Sequence, residues 1–178
     1  ILTLFPEMIE SFFKESIIKR AIDKKLVDIN IINFRDYSTD PHGKVDDTPY
    51  GGGPGMVLAC QPIFDCIEAI KTEDSKVIML TPDGVGYKQN MAYDLAKEKH
   101  LIFLCGHYEG FDERIRSIVD YEVSIGDYVL TGGELPALVM VDSIVRLVPG
   151  VIEESSHLED SFNNHLLDYP TYTKPRVY

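Results

Sequence analysis

Ser124-Ile125-Gly126-Asp127-Tyr128-Val129-Leu130-Thr131-Gly132-Gly133-Glu134-Leu135-Pro136-Ala137 puts three glycines, a turn and a helix start into fourteen residues, and it reads as a binding loop. Glycine opens backbone conformations closed to other residues and lets a ligand come against bare main chain. Thr131 to Glu134 has the form of a capping box, in which the two side chains satisfy free N–H groups at a helix start. Pro136 suits the first helical turn, where its missing N–H is no loss. The alternative is an ordinary strand-to-helix turn. Two more glycine-bearing turns, Thr81-Pro82-Asp83-Gly84 and Cys105-Gly106-His107-Tyr108-Glu109-Gly110, each follow a short apolar run of strand type. Three strand ends can thus converge on one ligand, as at the carboxyl edge of an open parallel sheet.

Upstream, Ile1-Leu2-Thr3-Leu4-Phe5 reads as a first strand. From Pro6, the residues Met8, Ile9, Phe12, Phe13, Ile17, Ala21 and Ile22 recur at three- and four-residue steps, which predicts one amphipathic helix. Val27, Ile29 and Ile31 alternate with Asp28 and Asn30, which predicts a second strand running to Phe34. Residues 35–56 lose periodicity and form a long polar loop, of a kind that in compact domains is functional or disordered. Its glycine run, Gly51 to Gly55, matches neither the phosphate-binding loop nor the dinucleotide fingerprint. Ile63, Cys66, Ile67 and Ile70 mark a helix, residues 77–80 a strand, and 91–96 the middle of another helix. Residues 101–105 read as a buried strand, 112–119 as helical and 121–125 as a short strand. The helix predicted over 135–148 is apolar on most faces, so the domain or a second subunit has to cover it; Pro149-Gly150 ends it. The alternation of strands and helices gives an α/β class with a largely parallel sheet. Residues 151–164 are acidic and aperiodic, and read as a mobile loop.

With 178 residues, 44% of them apolar, the chain can bury a sizeable core in one domain. No run of about 18 apolar residues is present, so no membrane-spanning helix is expected. Cys60, Cys66 and Cys105 lack C-x-x-C spacing and lie within apolar patterns, which points to core positions in a reducing, cytoplasmic setting. His42, His100, His157 and His165 have no zinc-like spacing. The opening residues are already strand-like, and residues 172–178 form a proline-bearing extended segment suited to a linker, so a further C-terminal part is expected. The net charge of −12 argues against a nucleic-acid partner, because phosphate attraction supplies most sequence-independent affinity for DNA and RNA.

Four motifs occur together and in order: Leu4-Phe5-Pro6-Glu7-Met8; Val45-Asp46-Asp47 with Pro49-Tyr50-Gly51-Gly52-Gly53-Pro54-Gly55-Met56; Cys105 through Gly110 continued by Phe111-Asp112-Glu113-Arg114; and Ser124 through Pro136. This set closely resembles the bacterial tRNA (guanine-N1)-methyltransferase family, of the SPOUT class of trefoil-knotted methyltransferases. The resemblance extends to Asp160-Ser161-Phe162 and to Leu166-Leu167-Asp168-Tyr169-Pro170 near the end. It implies an α/β fold with a knotted, mostly parallel sheet flanked by helices, a rare exception to unknotted chain topology. It also implies an obligate homodimer with each active site formed across the interface. The implied reaction moves a methyl group from S-adenosylmethionine to N1 of the guanosine 3′ of the tRNA anticodon, position 37. By the same resemblance, residues 1–150 are the cofactor-binding methyltransferase domain and 151–178 a mobile linker carrying catalytic residues. A C-terminal helical tRNA-binding domain would follow, able to supply the phosphate contacts that an acidic chain lacks.

The resemblance holds the cofactor against three loops: Leu80, Thr81, Pro82 and Gly84; Gly106, Tyr108, Glu109 and Gly110; and Ser124, Ile125, Gly126, Tyr128, Leu130, Gly132 and Gly133. An adenine needs a flat apolar slot edged with backbone donors and acceptors, and glycines let the backbone approach. Glu109 suits the positively charged sulphonium, or alternatively is a buried partner for Arg114. Methylation at guanine N1 removes a weakly acidic proton while charge spreads to the neighbouring carbonyl oxygen. The resemblance assigns the base to Asp160, with Glu153, Glu154, Glu159 and Asp168 as neighbouring carboxylates, and the electrophile to Arg146. Asp46 and Asp168 correspond to secondary site residues, and His107 takes no catalytic role. Tyr50, Tyr169 and Tyr172 are candidates for stacking on an unstacked base. Magnesium is implied by the resemblance without identifiable ligands. A knotted methyltransferase acting on ribose or ribosomal RNA, and a cofactor-binding RNA module without turnover, remain open as alternatives.

Overall fold

The computed structural model describes residues 1–153 and 170–177. A five-stranded sheet is built from β1 (Leu2–Thr3), β2 (Ile32–Asn33), β5 (Ser75–Gly86), β6 (His100–Leu104) and β7 (Tyr121–Ser124), in the order β2-β1-β6-β5-β7. Every pairing in it is parallel. A separate antiparallel hairpin pairs β3 (Asp46–Asp47) with β4 (Val57–Leu58). Helices α1 (Ser16–Asp23), α2 (Cys60–Ile70), α3 (Gln89–Leu95) and α4 (Glu134–Val145) cover the sheet.

The period of two along the central strands divides the interior. Ile78 and Leu80 of β5, with Phe103, Cys105 and Val123, pack on α1, α3 and α4. Val77 and Met79, with Leu2, Ile102 and Leu104, face α2, Phe34 and Ile115 on the other side. Each fully buried aliphatic or aromatic side chain contributes about 1.5–3 kcal/mol, so a strand apolar on both faces is fixed between two layers, as parallel sheets require.

Three expectations change, and the helical stretch expected over 112–119 is found in 3-10 form. The helix expected from Pro6 is two 3-10 turns, Pro6–Met8 and Glu10–Lys14, broken at extended Glu15 before α1 begins. Burial of Ile9 and Phe13 in the same core as Ile18 holds this tighter path. The strand expected over 27–34 pairs only over Ile32–Asn33, and Phe34–Tyr37 turns into a 3-10 segment capped by Asn33. Thr81-Pro82-Asp83-Gly84 is part of β5, which continues through a bulge to Gly86. Proline in a strand interior is tolerated at such a bulge, where no ladder N–H is needed. Residues 113–118 form a 3-10 segment, with Asp112 accepting from the Arg114 N–H.

The polar loop over 35–56 is not loose against the sheet. Its returning strand is stitched to the loop after β6: Glu109 N–H donates to Met56 O, Leu58 N–H to Gly110 O and Asp112 N–H to Leu58 O, each at 2.9 Å. Of the three cysteines, Cys66 and Cys105 are buried and Cys60 is half-buried.

Candidate functional site

A cavity of about 560 Å³ opens at the bulge of β5 and beyond the ends of β6 and β7. It is lined by residues 80–83, 106–111, 113, 116, 123–126, 128–133 and 136. All the residues expected to hold a cofactor line it except Gly84. Gly84 lies just behind the wall, in the bulge of β5: a Cβ there would meet the backbone nitrogen of Val123 at 2.5 Å. Leu80, Val123, Ile125, Leu130 and Pro136 give the cavity an apolar side. Asp83, Glu109 and Glu113 give it an acidic rim.

Gly133 begins α4 as its N-cap and ties two of the loops together. Its N–H donates to Gly106 O at 2.9 Å. A Cβ on it would stand 2.7 Å from Cys105 Cα. Two backbones therefore pass closer than any side chain allows. Tyr108 adopts φ +61, uncommon for a bulky residue and costing about 1–3 kcal/mol, which surrounding structure has to hold. Its ring is half exposed, at 50%, on the cavity wall.

The capping box expected at Thr131 to Glu134 is absent: α4 begins without a side-chain cap. The Glu134 carboxylate is 1% exposed and turned inward. One oxygen accepts from the Thr3 hydroxyl at 2.5 Å, and the other pairs with His107 Nε2 at 2.7 Å. A buried carboxylate costs several kcal/mol unless its oxygens are used, so these tertiary partners outweigh a cap worth about 1 kcal/mol. The sequence reading missed this role for Glu134. An acidic residue directly after Gly-Gly was the signal, and it fits a cap equally well.

Glu109 does not pair with Arg114. Arg114 forks onto Asp112, with Nη2 to Oδ2 at 2.7 Å and Nε to Oδ1 at 2.8 Å. Those hydrogen bonds hold the Asp112 carboxyl well below the usual carboxylate range. The Glu109 side chain is exposed on the cavity wall and lies over Gly55, where a Cβ would stand 2.4 Å from Glu109 Cγ. A second residue the sequence reading missed is Arg116. Its guanidinium reaches Asp83 at 2.7 Å, Glu113 at 3.0 Å and Glu122, tying the bulge of β5 to β7 along the rim. Asp83 also accepts from the Thr81 hydroxyl, and that bond first, then Arg116, lowers its pKa.

Arg146 is the C-cap of α4 and does not line the cavity. It follows the helix start by about 18 Å of helix rise, so one chain does not bring it to its own cavity wall. Asp46 is half-buried in β3, also outside the lining. Asp160 and Asp168 lie outside the described residues, as do Glu154, Glu159 and Tyr169. Leu135 and Val139, one turn apart on α4, are 56% and 49% exposed, so no described residue covers that stripe of the apolar helix fully. Among the described residues, no group of three or more His, Cys, Asp or Glu is arranged to hold a metal ion. No described helix is long and apolar enough to cross a membrane.

The family described as tRNA (Guanine-1)-methyltransferase TrmD matches residues 1–178. A tRNA (guanine-N(1)-)-methyltransferase of Malacoplasma penetrans is 58% identical over 175 residues, covering 98% of this chain and 77% of that protein. Proteins of the same name from Staphylococcus epidermidis (strain RP62A) and Clostridium botulinum (strain Hall) are 54% and 58% identical, over 74% and 75% of their lengths. The chain belongs to the tRNA (guanine-1)-methyltransferase family.

Proposed function

We propose that this member of the family transfers a methyl group from S-adenosylmethionine to N1 of guanosine in tRNA, at the base 3′ of the anticodon, position 37. The observation that carries the reading is the convergence of the β5 bulge and the two glycine-bearing loops after β6 and β7 on one cavity, in a chain matched by the family over its whole length. The cavity suits S-adenosylmethionine in kind. Its volume falls in the range of small-molecule pockets, and its apolar side offers a slot for a base. Glu109, the lining carboxylate that Arg116 does not pair with, favours a cationic sulphonium. When bound there, the cofactor supplies an electrophilic methyl group.

The chain's own residues then have three tasks. The loops orient the cofactor, with Gly133 letting two of them pass close enough to form one wall. Asp160 accepts the N1 proton. Arg146 stabilises charge gathering on the guanine carbonyl oxygen, as a permanently charged guanidinium can. Because Arg146 lies at the far end of α4 from the cavity, it serves the cavity of a second copy. The exposed Leu135–Val139 stripe supports a homodimer in which α4 is covered by its partner. Asp46 and Asp168 support the base from the flanking segments. The trefoil knot belongs to the same proposal. The close passage of Gly133 against Cys105 and Gly106, and of Gly84 against Val123, supports a chain drawn tightly past itself. Residues 1–150 form the cofactor domain and 151–178 the linker bearing Asp160, in a cytoplasmic enzyme.

The test uses the full chain, labelled methyl donor and a tRNA carrying guanosine or adenosine 3′ of the anticodon. Label at N1 of the guanosine alone is the expected result, and label elsewhere or none overturns the reading. The crossed site has its own test. An Arg146→Ala chain mixed with a chain whose cavity is blocked by Leu130→Trp, a change at a partly exposed lining residue, should recover about a quarter of wild-type activity, since a random mixture of two-fold dimers then holds one intact site in half of them. No recovery from a mixture shown to exchange subunits would place Arg146 and the cavity in the same protomer's site.

A further inference from the structure

Glu134 does not line the cavity and is not named by the cofactor-loop pattern, yet it is the buried charged group at the point where the loops join. Its carboxylate connects the end of β1, through Thr3, to the loop after β6, through His107. His107 is then enclosed. The Phe5 ring meets it edge-on with centroids 4.6 Å apart, and a Cβ on Gly132 would stand 2.4 Å from its Cε1 and Nε2. The imidazole is thus a spacer between the Gly106–Gly110 and Gly132–Gly133 segments. Tyr108, the next residue, holds its left-handed backbone with His107 fixed on one side and Gly110 N–H donating to His107 O at 3.1 Å on the other.

We propose that Glu134 is a positioning residue, which by anchoring His107 sets the separation of the two cofactor loops and the placement of Tyr108. The inference rests on the reading of this cavity as the S-adenosylmethionine site. Removing the anchor leaves the spacer free to turn and the slot wider, which weakens cofactor binding without touching the groups that perform methyl transfer.

The experiment is calorimetric titration of S-adenosylmethionine into the full chain, with methyl transfer measured in parallel at saturating cofactor and thermal unfolding recorded for each variant. Glu134→Ala should raise the dissociation constant about tenfold or more, because the loops are then no longer preorganised for binding, while kcat at saturating cofactor changes little. Glu134→Gln, which keeps the shape and one acceptor, should restore most of the affinity. The effects of Glu134→Ala and His107→Asn should not add, because the first acts through the second. Where Glu134→Ala does not fold, Thr3→Val and His107→Asn carry the test, each with a smaller loss of affinity. Unchanged affinity in folded variants, or fully additive losses, overturns the proposal while leaving the site reading intact. No cofactor binding by the folded wild-type dimer would instead overturn the site reading, and this inference with it.

Discussion

Two glycine-rich regions of this chain look alike as letters and differ as structure. At the cavity, Gly133 has an ordinary φ of −85 and needs to be glycine for space, because Cys105 Cα and the Gly106 nitrogen stand where a side chain would begin. At the hairpin tip, Gly51 and Gly53 have nothing within 4 Å, and Gly53 is required by its φ of +121 rather than by any neighbour. The first kind marks where two segments are pressed together. The second marks only where the chain turns, and Gly55, which the Glu109 side chain covers, stands apart from it in the same run.

Substitution separates the two kinds. Gly133→Ala should have the largest effect, since backbone neighbours cannot yield as a flexible side chain does. Overpacking of this kind costs about 1–3 kcal/mol or more, and we expect cofactor affinity to fall with stability; calorimetry and thermal melts would show both. Retained affinity would mean that the loops are not held together at this point. Gly53→Ala should cost about 1–3 kcal/mol through backbone strain alone, with cofactor affinity unchanged. Gly51→Ala should change sign, stabilising by about 0.4–1 kcal/mol because it restricts only the unfolded chain. Acid unfolding gives the smallest contrast. Asp83 on the cavity rim and Asp112 beside the hairpin both have lowered pKa values in the fold. Their contribution to stability is therefore fully present above the unfolded value of about 3.9 and is lost as pH falls through the folded values. Arg116→Gln should reduce the Asp83 share and Arg114→Gln the Asp112 share, read as a flatter dependence of the melting temperature below pH 4.

What the sequence made legible follows the same division. Strands β5, β6 and β7 and helices α2 and α4 were readable because their apolar periods are set by burial, which drives folding more strongly than any other favourable effect. The convergence of the loops after β6 and β7 was readable because each followed such a strand. Thr81 to Gly84 looked like a turn because proline and glycine usually mark one, and only the pairing with β7 on both sides of the bulge makes it strand. The stretch from Pro6 carried a helical period that tertiary burial of Ile9 and Phe13 bent into 3-10 turns. Thr131-Gly-Gly-Glu134 satisfied a local rule, yet Thr3 and His107, distant in sequence, claimed the carboxylate. The assignments of Asp160 and Arg146 came from family resemblance and not from pattern: nothing local marks an aspartate in an acidic segment as a base.

The pairing of Leu2 with Leu104 carries a consequence for how the chain is made. The first strand leaves the ribosome about a hundred residues before the strand it must lie beside, which at typical elongation rates is about 5–20 s. Until β6 appears, the apolar edge formed by Leu2 and Leu4 has no parallel partner on that side, and contacts so distant in sequence form slowly even in the finished chain. Synthesis in the presence of a holdase chaperone should therefore raise the soluble yield of this protein more than it does for a domain of equal size built from neighbouring hairpins.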